Sequence, residues 1–76
     1  MKGPRYKHFS VERYSSLYEV RESGRVLILI IFTYWDGDVL LLNAFVKRKQ
    51  RDTMQALEQS LRILAELQNH PEYAVE

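Results

Sequence analysis

The sequence predicts an α+β domain: a small antiparallel meander of three to four strands with one carboxy-terminal helix packed on one face. Three observations carry this reading. Residues 26–35 and 39–46 are almost wholly apolar runs rich in β-branched and aromatic side chains. Asp36-Gly37 lies between them, and Asp-Gly flanked by strand-like runs is the strongest short-range hairpin signal. Residues 54–67 carry Met54, Leu57, Leu61, Leu64 and Leu67 at helical spacing, with Glu58, Gln59, Arg62 and Glu66 between them.

The hairpin organises the rest. Gly37 supplies the positive φ of a type I′ turn at no steric cost. A run apolar at every position implies burial on both faces, so each side of the sheet needs a cover. A membrane span is excluded by length, because the first arm has about half of the roughly 20 residues that a spanning helix needs, with charges close on both sides.

Composition sets the outer bounds. The chain has 76 residues, no cysteine and a formal net charge of +1. It forms one domain over residues 1–76, and a chain of this size buries only about 60% of its unfolded surface. Without cysteine there is neither a disulfide framework nor a thiolate zinc site, which points to a reducing, cytoplasmic setting. The first residues are polar and basic with no apolar stretch after them, so no secretory leader is expected.

In chain order, residues 1–16 form an extended lead-in in which Lys2, Arg5, Lys7 and Arg13 alternate with Tyr6, Phe9 and Tyr14. Gly3-Pro4 marks an extended start, and Phe9-Ser10-Val11 has the composition to prolong a strand. Residues 17–46 form the meander. Its first strand, Leu17-Tyr18-Glu19-Val20-Arg21-Glu22, sets Tyr18 and Val20 on one face and Glu19 and Arg21 on the other. Lys47-Arg48-Lys49-Gln50-Arg51 then holds four cations in five residues. Asp52 fits the start of a helix over 52–69, capping it with Gln55 reaching back, and His70-Pro71 ends it. The leucine stripe covers one face of the sheet; no second helix is left for the other. Either the amino-terminal segment folds across that face, or the chain pairs with itself or a partner, or the sequence is a shortened version of something longer.

The chemistry available is cationic. Lys47 and Arg48 leave the last strand, with Lys49 and Arg51 beyond them, and such a cluster binds a polyphosphate backbone or is a solvated linker. Arg21 on the first strand, Arg25 at the next turn, and Lys7 and His8 in the lead-in extend the candidate RNA-binding surface. Tyr6, Phe9, Tyr14 and Tyr18 either stack on unpaired bases or pack within the sheet. His8 is a general acid–base candidate by its ordinary pKa, though no partner is visible beside it. Glu19 is placed to pair with Arg21. No metal set, Gly-rich phosphate loop or Gly-x-Ser-x-Gly elbow is present, so no cofactor is expected.

These residues carry a resemblance. Leu17-Tyr18-Glu19-Val20-Arg21, a short turn, an apolar strand, Asp36-Gly37, then Val39-Leu40-Leu41-Leu42-Asn43-Ala44-Phe45-Val46-Lys47-Arg48 and a leucine-striped helix resemble the phage-derived HigB-like branch of the RelE/ParE toxin superfamily. The family pattern is a Leu-Tyr/Trp-Glu-Leu-Arg strand followed by Val-Leu-Leu-(His/Asn)-(Gly/Ala)-Phe-x-Lys-Lys; Pro4-Arg5-Tyr6-Lys7-His8-Phe9 is similar to the segment leading into it. The resemblance spans residues 4–67. It implies a RelE-like fold and a toxin of a type II toxin–antitoxin pair, a ribosome-dependent, metal-independent messenger RNA endoribonuclease (an mRNA interferase) in which the ribose 2′-hydroxyl attacks the adjacent phosphate. It implies an antitoxin and the ribosome with its messenger RNA as partners. Carried over by position, Arg21, Lys47 and Arg48 are the catalytic residues, while Lys49 and Arg51 grip flanking RNA or ribosomal RNA.

The chain departs from the family pattern at three places. The arginine usual in the long strand is replaced by Leu29-Ile30-Ile31. The helical hairpin before the Leu-Tyr-Glu strand is missing, which makes the chain look shortened at its amino terminus. The Thr-Pro before the last helix is replaced by Asp52-Thr53. These changes keep open an alternative: a catalytically silent scaffold from a phage or mobile element that binds and inhibits a host protein as a dimer, joined through the uncovered sheet face.

Overall fold

The computed structural model describes residues 5–70. The extended start read from Gly3-Pro4 and the helix stop read from Pro71 lie outside them. Four strands, β1 (Arg5–His8), β2 (Tyr18–Ser23), β3 (Leu27–Trp35) and β4 (Asp38–Lys47), form one antiparallel meander in the order β1-β2-β3-β4. The helix α1 (Gln50–Asn69) follows and packs mainly on β4. A fold of one small antiparallel sheet and one carboxy-terminal helix is what the sequence predicts.

The hairpin turn has the predicted chemistry. Asp36 has φ 52° and Gly37 φ 85°, the two positive angles that a type I′ turn requires. Asp36 is among the few residue types that visit the left-handed region, since a short polar side chain can hydrogen-bond locally there. The register pairs Trp35 with Asp38 and Tyr34 with Val39, then continues to Phe32 with Leu41. Beyond that point Ile31 faces Asn43, so Leu42 is the extra residue of a β-bulge. The bulge turns Leu42 into the core, where it is buried.

Alternation gives each strand two faces. On the helix side lie Lys7 of β1, Glu19 and Arg21 of β2, Leu29, Ile31 and Thr33 of β3, and Phe45 and Lys47 of β4. The core there joins Leu17, Ile31 and Leu42 to Ala56, Leu57 and Leu64 of the helix. Full burial of a leucine such as Leu17 stabilises by roughly 1.5–3 kcal/mol. Ala56 and Ser60 are small and buried, which lets the helix lie close to the sheet, and the Ser60 hydroxyl donates to the Ala56 carbonyl at 2.7 Å.

Three expectations are corrected by the backbone. First, Phe9-Ser10-Val11 does not prolong a strand. The chain leaves the sheet after His8, and a 3₁₀ turn at Glu12–Tyr14 follows, closed by bonds from Tyr14 N–H to Val11 and from Leu17 N–H to Tyr14, both 2.9 Å. The reason is burial: Phe9 and Tyr14 both enter the helix-side core. Second, of the alternatives left open for the second face, cover by residues 9–17 is excluded: this segment thickens the face already covered, and the other face is open among the described residues. Third, the helix begins at Gln50, before Asp52, and Asp52 is its third residue. The Asp52 carboxylate reaches backwards, accepting from the backbone N–H of Arg48 at 2.9 Å and of Lys49 at 2.8 Å. A carboxylate at this position satisfies donors that a helix start otherwise leaves unpaired. Those two bonds hold the Asp52 carboxyl below its ordinary value.

The 3₁₀ turn is pinned to the helix by one polar cluster. Arg13 donates through Nε and Nη2 to the two oxygens of Glu58, at 2.8 and 2.6 Å. The Tyr14 hydroxyl donates to Glu58 at 2.5 Å. The Arg13 bonds, then the Tyr14 bond, hold the Glu58 carboxyl down at about 2. The same contact raises the Tyr14 phenol above its ordinary range.

Candidate functional site

The helix-side rim brings together two of the three residues assigned to catalysis. In the register, Arg21 pairs with Leu29 and Leu29 with Phe45, while Lys47 pairs with Leu27. Arg21 and Lys47 therefore share a face, two strands apart and one two-residue step apart, which puts their Cα atoms about 12 Å from each other by sheet spacing. Long cationic side chains span such a gap to one bound anion. Lys7 joins them, since it pairs with Glu19 across β1 and β2 on that face.

Glu19 organises this rim. It is only 1% exposed, and its Oε2 accepts from Arg21 Nε at 3.1 Å and Nη2 at 2.9 Å. The pair fixes the guanidinium and leaves Nη1 unengaged by Glu19. Tyr6, Lys7, Glu19 and Arg21 line a hollow of about 290 Å³. Lys7 is held over the Phe9 ring, its Nζ 5.5 Å from the ring centre, a favourable position for a cation.

Arg48 is placed elsewhere. It lines a separate hollow of about 460 Å³ with Asn43, Phe45, Asp52, Gln55 and Gln59 among others. Lys47 stands at the end of β4, and its Nζ lies 3.5 Å from Gln50 Oε1. Lys49 and Arg51 are exposed around the first turn of α1, and Arg25 is exposed in the β2–β3 turn. The basic run is thus a crest around the helix start, and Arg21 and Arg48 do not share a pocket.

His8 is on the opposite face. Its ring stacks on Tyr18, centres 4.5 Å apart, and its Nε2–H donates to the Ser15 carbonyl at 2.5 Å. It does not reach the Arg21–Lys47 rim. Tyr18 stacks in turn on Phe32 at 5.5 Å, and Tyr34 meets Tyr18 edge-on at 5.0 Å. Of the four rings considered for base stacking, Tyr6 and Tyr18 belong to this open-face cluster, while Phe9 and Tyr14 are core residues. Apart from Tyr6, which on the β1 edge also borders the hollow of Lys7 and Arg21, stacking rings and cations therefore occupy different sides of the sheet. Phe32 and Tyr34 were not singled out in the sequence; their parity with Tyr18 across β2 and β3 is the signal that finds them.

Among the described residues no group of three or more histidines and carboxylates gathers as a metal site, and no helix is long and apolar enough to cross a membrane. Comparison with protein-family models finds no match, and neither do comparisons with curated proteins and with solved structures.

Proposed function

We propose that this chain is a toxin of a type II toxin–antitoxin pair on a RelE-like scaffold, cleaving messenger RNA in the ribosome at the helix-side rim of its sheet. The observation that supports this most is the shared face of Arg21 and Lys47, with Arg21 held in place by the buried Glu19. The residues carried over from the resemblance as strand arginine and strand-end lysine thus flank one strip of surface. A phosphodiester on that strip meets a fixed guanidinium on one side and a flexible ammonium on the other.

In the reaction, the 2′-oxygen bonds to phosphorus as the bond to the 5′-oxygen breaks. The 2′-hydroxyl gives up a proton, the departing 5′-oxygen gains one, and a 2′,3′-cyclic phosphate remains. Arg21 and Lys47 stabilise the extra negative charge of the five-coordinate phosphorus, the role that preorganised donors play best. Lys7 strengthens the hold on the backbone, and Lys49, Arg51 and Arg48 contact RNA farther along. The formal charge of the Arg21–Glu19 pair is zero, so Lys7 and Lys47 supply the net positive field.

The test is cleavage of a message on programmed ribosomes by the purified chain. Wild type yields fragments with cyclic phosphate ends, and Lys47→Ala slows their appearance by about 10²-fold, the usual cost of one transition-state donor. Intact messages with the wild-type chain, together with harmless expression in bacteria, remove the proposal. A second reading is favoured by one observation: Leu29 and Ile31, in the stretch where the family carries an arginine, are fully buried. On that reading the scaffold binds and inhibits a host protein without cutting RNA. An affinity for a host protein combined with intact messages selects it.

A further inference from the structure

We propose that the open face of the sheet is a homodimer interface, with a second copy of the chain lying on it face to face and the two-fold axis running along the strands. This does not depend on the nuclease reading.

The face is apolar and continuous. Among the described residues ten large apolar side chains are exposed, and six belong to this face, led by Tyr6 at 73%, Leu41 at 66% and Tyr34 at 60% exposure. At strand spacing and rise, strands of 4, 6, 9 and 10 residues cover roughly 460 Å² in projection. That is already the size of the largest apolar patch on a typical soluble monomer, about 300–600 Å². The accessible area of a corrugated face exceeds its projection, which brings it to the scale of the smaller stable interfaces, about 600 Å² per partner.

Charge decides among occupants. Glu22 is the one formally charged strand side chain that alternation places on this side, apart from the titratable His8. Phosphates would find no counter-charge here, and a strongly charged protein surface would have to be desolvated without compensation. Another apolar sheet carries neither cost along the Tyr6 and His8 rows, and Glu22 lies in the outermost open-face row with Ile28 and Val46, where its carboxylate reaches the solvated rim.

The face also complements itself. One cross-strand row runs Tyr6, Val20, Ile30, Ala44, and the next runs His8, Tyr18, Phe32, Leu41. A two-fold axis along the strands, between β2 and β3, reverses each row upon itself. The β1 edge of one copy then lies over the β4 edge of the other. Tyr6 covers the small Ala44 of the second copy, and His8 covers its Leu41. Large rings meet small or aliphatic side chains along both edges, in aligned packing of two sheets.

Sedimentation equilibrium of the full chain tests this. Wild type is expected to be a dimer at micromolar concentration. Leu41→Glu, at a site exposed in the single chain, is expected to leave the circular dichroism spectrum unchanged and to weaken the dimer by on the order of 100-fold, because it buries an unpaired carboxylate. The absence of cysteine allows a second measurement. The Tyr6→Cys/Ala44→Cys variant with a short bismaleimide is expected to give a covalent dimer on a denaturing gel, and adding Leu41→Glu is expected to abolish it. A wild-type monomer at several hundred micromolar overturns the proposal, as does a Leu41→Glu variant that stays dimeric with unchanged affinity. A monomer that binds single-stranded RNA and loses that binding in Tyr34→Ala also overturns it, in favour of a base-stacking platform.

Discussion

Arg21 donates from two nitrogens to a single oxygen of Glu19, its immediate neighbour on the same face of β2. The two partners are unequally exposed, the Glu19 side chain at 2% and that of Arg21 at 36%. Arg21→Ala strands a buried carboxylate and is expected to cost about 3 kcal/mol of folding stability. The pair Glu19→Leu with Arg21→Met is expected to recover most of that loss, because both polar groups leave together. Urea unfolding of the three chains measures the difference, and the RNA affinity of the refolded double variant tests the proposed substrate contact of Arg21 separately from its part in folding.

Glu58 gives the fold an acid limit. Its carboxyl is held at about 2 against an ordinary 4.5 by Arg13, then by Tyr14. A folded value below the unfolded one contributes stability that is fully present above the unfolded value and is lost as pH falls through the folded one. Stability is therefore expected to fall between about pH 4.5 and 2, and Glu58→Gln is expected to flatten the slope in that window. Denaturant midpoints at stepped pH read this directly. Added salt is expected to weaken the wild-type advantage, since the Arg13 side chain is exposed.

Asp52 is expected to matter more for the basic crest than its place in a helix turn implies. Asp52→Ala releases the N–H groups of Arg48 and Lys49, and hydrogen exchange at those two amides is expected to speed up while the middle of the helix is unchanged. The lowered Asp52 carboxyl also makes this part of the stability disappear as pH drops below the ordinary carboxylate range.

The proposed RNA contacts are expected to show in salt dependence. For single-stranded RNA, each phosphate neutralised contributes about 0.7 to the slope of log affinity against log salt. Lys47→Ala is expected to lower the slope by about that amount and to weaken binding evenly across sequences, the signature of a backbone contact. Filter binding at four salt concentrations is sufficient.

Much of this was legible in the chain. Asp36-Gly37 announces the turn, the parity of Leu17 to Glu22 separates Tyr18 from Arg21, and the leucine spacing announces the helix. All three are local signals, written within one element. The bulge at Leu42 was not legible, because an extra residue in an apolar run leaves no mark on its composition. Nor was the Arg13–Glu58 clamp, whose partners come from different elements. The separation of Arg48 from Arg21, which line different hollows, follows from the path of the chain into the helix rather than from spacing.

The sequence by itself determined β2, β3, β4 and the helix, their order and the face each β2 side chain takes, because strand alternation and helical period are properties of the backbone; the strand at Arg5–His8 and the 3₁₀ turn after it were not located. Only the tertiary structure decided that residues 9–17 close over the helix side. Burying Phe9, Tyr14 and Leu17 against Leu57 and Leu64 uses the lead-in on the face that already had a cover. The opposite face, with Tyr6, Tyr34 and Leu41, is left exposed to solvent within the single chain.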